Sequence, residues 1–446
     1  MSLLLDLCYL VLLGLLSPVL LWISLRTGKY RQGLPQKLWG QLPLRKGAEP
    51  CVWFHAVSVG EVNLIATLIQ QFERDRPDVK CLITTTTNTG FELAKKKYPM
   101  HTVDYCPLDL SWAVRRAMAR VRPSLLVLVE LEIWPNLIQA AGSAEVPVAM
   151  VNGRMSDRSF RGYYRLRWLM KFVFRKFSLL AVQDSTYRER FVQLGARLPQ
   201  VTVTGSLKFD GAETDRNNAQ TKRLRELVGI QEKSRVFLAG STLEGEERLA
   251  IDAYQALVTE YPDLCLIIVP RHPERFEEVA ELLNESGLAW ARRQNLDGSP
   301  NSDVRVLMVD TVGELGAWWG VADIAFVGGS MADRGGQNMI EPAAYGAAVS
   351  FGPNTANFRD VVQQLLSQQA ARVVHDREEL TEFLRQCLRN PLEANRMGQR
   401  AQQLVRENLG ATERTFQLLD SLLSATESSS QAAVGDERPF LPRKSA

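Results

Sequence analysis

A carboxylate closes the stretch Val52-Trp-Phe-His-Ala-Val-Ser-Val-Gly-Glu61, in which a short apolar strand runs into a loop of small residues. Ala56, Ser58 and Gly60 leave room for the backbone to approach a ligand closely. In open α/β sheets such strand-to-helix junctions face the crevice where ligands bind. Ser58-x-x-Glu61 is at the same time a capping box, which steadies a helix start without any chemistry. A helix N-terminus favours an ionised Glu61, the form a general base requires. A second acidic group stands in Leu-Val-Leu-Val-Glu130-Leu-Glu132-Ile-Trp-Pro-Asn136, at the carboxyl end of an apolar run. If the chain is still extended there, Glu130 and Glu132 share a side. Acids are costly as core residues, so at least one of this pair reads as ligand-facing. Two carboxylates permit one to take a proton from an attacking hydroxyl while the other positions the reacting groups. Lys208, in Thr-Val-Thr-Gly205-Ser-Leu-Lys208-Phe-Asp210, follows another strand. It suits a phosphate or carboxylate that gains negative charge in a transition state, or else is a solvated lysine after a turn.

Four further segments lie at predicted strand ends in the second half. Gly240-Ser241-Thr242 offers small residues and hydroxyls, and Val269-Pro270-Arg271-His272-Pro-Glu-Arg275 places an arginine suited to phosphate just beyond a strand. His272 reads equally as a helper or as a packing residue. Asp310-Thr-Val312-Gly313-Glu314 opens a helix whose amides can receive an anion. Gly328-Gly-Ser, followed by Gly335-Gly336-Gln-Asn338-Met339-Ile340-Glu341, is glycine-rich and ends on an acid able to hold ribose hydroxyls. Together these favour one nucleotide bound by the second half. No G-x-G-x-x-G follows the early strands and no G-x-x-x-x-G-K-[ST] occurs, so neither a dinucleotide cofactor nor an NTPase phosphate loop is supported.

The elements that must carry these residues alternate. Strands are predicted at 52–55, 81–86, 125–129, 147–151, 178–182 and 201–204, then at 236–240, 264–269, 304–309, 323–327 and 347–351. Helical patterns lie between them, such as Glu61–Arg76 with Val62, Ile65, Leu68, Ile69 and Phe72 on one stripe. That alternation implies an α/β fold of two doubly wound parallel sheets, with a polar linker region at 211–234 that holds a helix and a cleft suited to a two-part substrate. At 446 residues the chain is long enough for this, and a net charge of +3 is too small to argue for nucleic acid. Six scattered cysteines and four histidines show no metal-ligand spacing, so neither disulfides nor a metal site is expected. Leu7 to Ser24 is nearly all apolar, preceded by Asp6 and followed by Arg26, Lys29, Arg31 and Lys37. This reads as a membrane anchor over 1–25, with the body on the cytoplasmic side. A domain at 26–215 and another at 216–424 follow, with a helical finish from about 377 and a disordered tail at 425–446. The segment Arg158–Phe177 interleaves basic and aromatic residues and suits anionic lipid, or packs its aromatics inward.

The chain resembles the 3-deoxy-D-manno-octulosonic acid (Kdo) transferases of lipopolysaccharide synthesis. The resemblance rests on HAVSVGE (55–61), VELEIWPN (129–136), VTVTGSLKFD (201–210), VPRHPERF (269–276) and FVGGS…GGQNMIE (326–341), in family order. It implies a GT-B architecture, two Rossmann-like domains facing a central cleft, at the inner membrane. It also implies inverting transfer of Kdo from CMP-Kdo to a lipid A precursor such as lipid IVA, with no metal and no cofactor. Glu61 matches the base that activates the acceptor hydroxyl, and Glu130 and Lys208 match positions that stabilise the transition state. Pro270, Arg271, Val312, Gly313, Glu314, Asn338, Met339, Ile340 and Glu341 match CMP-binding positions. Two departures stand out: Gln337 where the family commonly has histidine, and Leu243 where a histidine often follows Ser-Thr. The rival readings are another membrane-associated GT-B glycosyltransferase using a different nucleotide sugar, a sugar-nucleotide epimerase, and a nucleotide-binding scaffold without turnover.

Overall fold

The five residues Leu125–Val129 are all apolar and all buried, as a strand must be when both faces of its parallel sheet are covered. This computed structural model describes residues 2–27, 32–231, 233–296 and 305–435. The chain forms two units, one running to Asp210 and resumed from Leu409, the other Gly211–Asn408.

In the first unit the strands are β1 (Cys51–His55), β2 (Lys80–Thr85), β3 (Thr102–Tyr105), β4 (Leu125–Val129), β5 (Val148–Gly153), β6 (Leu179–Val182) and β7 (Val201–Val203). They lie in the order β3-β2-β1-β4-β5-β6-β7, every pair parallel. The order reverses between β1 and β4, so the loops after these two strands open at the switch point where such sheets take ligands. Glu61 lies in the first turn of the helix that follows the β1 loop, and Glu130 directly follows β4. The helical stripe expected over Glu61–Arg76 is two helices, Val59–Leu64 and Ala66–Asp75, parted at the fully buried Ile65.

The second unit contains β8 (Arg235–Thr242), β9 (Leu264–Pro270), β10 (Trp290–Arg292), β11 (Val306–Met308), β12 (Ile324–Val327), β13 (Ala348–Phe351) and β14 (Ala371–Val373). Their order is β10-β11-β9-β8-β12-β13-β14, with the reversal between β8 and β12. The segment expected as a linker is instead part of this unit. The helix expected inside it is Ala219–Leu227, and the Arg216 guanidinium is held by the carbonyls of Tyr345 and Ala322 and by Asp323.

Two expectations about the ends of the chain change. The helix Ala411–Gly435 belongs to the first unit, whereas the second domain was expected to run to 424. Phe416 meets Phe72 edge-on at 4.9 Å, Leu419 and Leu423 are fully buried beside it, and Arg76 binds Asp420 and Glu427. Each such apolar side chain contributes about 1.5–3 kcal/mol through burial. The same helix runs through Gly435 where a disordered tail was expected from 425, while 436–446 lie outside the described residues.

At the other end a helix spans Ser2–Thr27. No helix among the described residues is long and apolar enough to cross a membrane. Lys29 and Arg31, two of the expected basic flanks, lie outside the described residues. The basic aromatic segment forms two helices, Asp157–Arg165 and Arg167–Phe174. Phe174 is buried, but Trp168 is 72% exposed and Tyr164 and Phe172 are also on the surface. All six cysteines are free.

Candidate active site

In the first unit Glu61 occupies the third position of helix Val59–Leu64, which Ser58 caps. Its carboxylate accepts the Val57 N–H at 2.8 Å and the Ser58 hydroxyl at 3.2 Å. The capping interaction is therefore formed, and by the same side chain that was singled out for chemistry. Its ionisation differs from the local expectation. Burial, with Glu132 and Glu130 nearby, pushes Glu61 up to about 8, although the bonds from Val57 and Ser58 pull the other way. Desolvation and two like charges outweigh the helix terminus.

Glu130 and Glu132 do not share a side of a strand. β4 ends at Val129, and Glu130 adopts a left-handed φ of 57°, a conformation a non-glycine residue holds only where its surroundings impose it. Glu130 pairs with Arg154 at 2.9 Å. Glu132 accepts the Trp134 indole N–H at 2.7 Å, and burial raises its pKa. Trp134 also stands edge-on to His55, 5.2 Å between ring centres. His55 is fully buried, with Nδ1 3.2 Å from the Thr84 carbonyl. A carbonyl only accepts, so Nδ1 carries the proton and burial holds the ring neutral, its pKa near 4.

Lys208 lies on the turn after β7, half-buried, its N–H donating to Ser206 Oγ at 3.4 Å. The neighbouring Leu207 N–H binds Asn152 Oδ1 at 3.0 Å, and Asn152, with φ 54°, sits two residues before Arg154. Asn152 and Arg154 were not singled out from the sequence. Their signal was available: Val-Asn-Gly-Arg154 ends a buried strand at the same sheet edge as Glu61 and Glu130.

The second unit holds a cavity of about 470 Å³ lined by Asn218, Gly313, Gly316, Ala317, Glu341 and Tyr345, among others. Glu341 is half-buried; burial raises its pKa, while Asn338 Nδ2 at 2.9 Å and the charge of Arg271 work against the rise. Asn338 Oδ1 accepts the Ile340 N–H at 3.0 Å, fixing the turn. Met339 and Ile340 are core side chains, 0% and 1% exposed, so only their backbone is open to a ligand. Pro270 ends β9, and the exposed Arg271 is tied by its backbone N–H to the Thr242 carbonyl. Val312 is 80% exposed, and Gly313, at φ 93°, makes a turn that a side chain would strain. The Glu314 side chain is already engaged: Arg293 grips it with two bonds of 2.9 Å, and Thr311 and Trp318 add two more. His272 is exposed and 3.8 Å from Glu274, and Arg275 spends its guanidinium on the buried Glu247.

The glycine-rich turn also differs from expectation. The Gly329, Ser330 and Met331 amides all point at Glu246, which takes the Leu243 amide as well, at 2.7–2.9 Å. Glu246 is 2% exposed. An internal carboxylate therefore fills this anion cradle and bridges the loops after β8 and β12. A larger cavity, about 580 Å³ beside Arg372, Cys387 and Arg400, touches none of the residues singled out above.

Residues 26–211 match the family described as 3-deoxy-D-manno-octulosonic-acid transferase (kdotransferase). The 3-deoxy-D-manno-octulosonic acid transferase of Haemophilus influenzae is 33% identical over 408 residues, 90% of this chain and 94% of its own length. That of Bordetella pertussis is 36% identical over 383 residues, 83% and 87% of the two chains. Among solved structures, a glycosyltransferase from Rickettsia africae superposes with a TM-score of 0.52, covering 84% of this chain and 99% of that one. At 11% identity it speaks for the fold alone, two Rossmann-like domains of the GT-B glycosyltransferase type.

Proposed function

This chain belongs to the 3-deoxy-D-manno-octulosonic acid (Kdo) transferases, and on that premise we propose an inverting, metal-independent transfer of Kdo from CMP-Kdo to a lipid A precursor, lipid IVA, with Glu61 as general base. It is a glycosyltransferase of lipopolysaccharide synthesis; the mechanism, the acceptor and the residue roles are our reading. The observation that carries the reading is the Glu61 carboxyl, half-buried at the switch point with Glu130 and Glu132 nearby and its pKa raised to about 8. A base of that strength is matched to removing a proton from a sugar hydroxyl as it attacks.

In the proposed step the acceptor hydroxyl attacks the anomeric carbon of Kdo, and its proton passes to Glu61. The bond from that carbon to the CMP phosphate breaks, and CMP leaves with the electron pair on the opposite face, so the anomeric centre inverts. Glu130, held by Arg154, and Lys208 are assigned to stabilising the charge that develops in this step. CMP is assigned to the second unit, against Arg271, the backbone of Val312 to Glu314, and Asn338 to Glu341. Glu341 offers an acceptor to ribose hydroxyls; Glu314 contributes through its backbone, because its side chain is committed to Arg293. A nucleoside monophosphate donor is consistent with a glycine-rich turn whose amides are already taken by Glu246.

The N-terminal helix exposes Leu7, Leu10, Val11, Val19 and Trp22. We assign it to holding the enzyme at the inner membrane with the catalytic body on the cytoplasmic side, where the lipid acceptor is met. The test is mass spectrometry of the lipid after incubation of purified protein with CMP-Kdo and a tetra-acylated lipid A precursor in EDTA. A gain in units of Kdo mass is expected. An unchanged lipid with intact CMP-Kdo and folded protein would overturn the donor–acceptor pair and favour a different nucleotide sugar.

A further inference from the structure

Two helices of the first unit begin after residues that cannot cap them. Ser111–Val121 follows Leu110 and Pro135–Ser143 follows Trp134, and neither preceding side chain accepts a hydrogen bond from the helix. The open amides at a helix start must find partners elsewhere when buried. For Pro135–Ser143 the partner is Asp109, whose two oxygens accept the Asn136 and Leu137 N–H groups at 3.0 and 2.8 Å. For Ser111–Val121 it is Asp6, a residue of the N-terminal helix about a hundred positions away. Asp6 accepts the Ser111 N–H at 2.8 Å, the Ser111 hydroxyl at 2.5 Å and the Asn136 side-chain amide at 3.1 Å. Tyr9, one turn further along the same helix, donates to Asp109 at 3.2 Å.

Asp6, Asp109, Ser111 and Asn136 are all less than 9% exposed. Asn136 closes the motif that begins at Glu130, and Pro135–Ser143 starts directly behind the Glu130–Trp134 loop. Asn136 divides its amide hydrogens between Asp6 and the Asp109 carbonyl. Whatever holds Asn136 therefore also sets where Trp134 lies, and through it Glu132 and the edge of His55.

We infer that Asp6 and Tyr9 are positioning residues: the N-terminal helix is a working part of the catalytic unit, and its polar face fixes the start of helix Pro135–Ser143 and the acidic loop before it. The inference rests on the assignment of that loop to catalysis made above. It predicts that losing the Asp6 contacts slows turnover even where membrane attachment is irrelevant.

The experiment uses the full-length protein in detergent, with acceptor in mixed micelles so that recruitment to a bilayer does not limit the rate. Asp6→Ala is expected to lower kcat about tenfold to a hundredfold, the scale of a misplaced catalytic group, with the KM for CMP-Kdo unchanged. Asp6→Asn, which still offers an oxygen to the Ser111 N–H and to Asn136, is expected to recover most of that loss. Hydrogen exchange read by mass spectrometry should quicken at Asn136 and Leu137 in Asp6→Ala but not in the second unit. Should Asp6→Ala fail to fold, Tyr9→Phe takes its place, with a loss of about twofold to fivefold in kcat alone and the same local exchange signature. Wild-type kcat and wild-type protection at 136–137 in a folded Asp6→Ala or Tyr9→Phe protein overturn the inference. An equal loss of kcat and donor affinity does so too, since it would mark general damage. The exchange measurement needs no substrate, so it decides the inference even if the wild-type protein transfers no Kdo.

Discussion

Replacing Glu61 with Gln should make the protein more stable in alkaline solution while abolishing transfer. In the folded state burial raises the Glu61 pKa from 4.5 to about 8. Between those values the folded chain keeps a proton that the unfolded chain has released, so stability falls as pH rises and levels off above about 8. One pKa unit corresponds to about 1.4 kcal/mol, which sets a ceiling of about 5 kcal/mol on the penalty at high pH. Water entry and side-chain relaxation reduce such penalties, leaving on the order of 2 kcal/mol. Glutamine keeps an oxygen for the Val57 N–H and an amide for the Ser58 hydroxyl, and it never ionises. Thermal unfolding of both proteins from pH 5 to 9, followed by circular dichroism, is the assay. The two curves should nearly meet at pH 5, and the variant should unfold about 4–8 °C higher at pH 8.5. A pH-independent gap, or a variant less stable than wild type at pH 8.5, would refute the reasoning that Glu61 is held neutral by its surroundings.

Three further outcomes follow from contacts described above. Glu246→Gln keeps the volume but turns an amide NH2 donor toward backbone N–H groups that need an acceptor; it should cost about 1–3 kcal/mol in urea unfolding and weaken CMP binding by calorimetry. Phe416→Ala should cost about 3–5 kcal/mol in the first unit, with CMP affinity unchanged, because Phe416 packs on Phe72 of the first unit and CMP is assigned above to the second. Glu341→Ala should weaken CMP binding about tenfold or more, with little effect on melting temperature, since its carboxylate borders the cavity and accepts the Asn338 side-chain amide at 2.9 Å.

Long apolar strands were legible because burial on both faces leaves a continuous run, as in Leu125–Val129 and Leu264–Pro270. The strands overlooked are β3, β10 and β14, of three or four residues, on sheet edges and carrying Asp104, Arg292 or Arg372. An edge strand needs no apolar run, so periodicity is silent there. The positions of the acidic and second-unit candidates were legible for a related reason: they follow strand ends, and in this fold ligands are taken up at that edge. What local reading could not supply was set by distant neighbours. The ionisation of Glu61 depends on Glu130 and Glu132, some seventy residues away, and on burial. Glu246 reads as an ordinary acid in a first helical turn until the turn after β12 closes on it. Arg154 gains meaning only once β5 lies beside β4. The C-terminal end of the chain was misjudged in the same way, because return of the last helix to Phe72 leaves no trace in its own composition.

The most direct test of the central claim, that Glu61 is a base tuned by burial, is the pH dependence of kcat/KM for Kdo transfer. This parameter reports groups in the free enzyme. The account predicts a rate rising about tenfold per pH unit below an apparent pKa near 8 and levelling above it, with Glu61→Gln inactive throughout. A flat profile from pH 6 to 9, or a Glu61→Gln enzyme turning over at the wild-type rate, would contradict it.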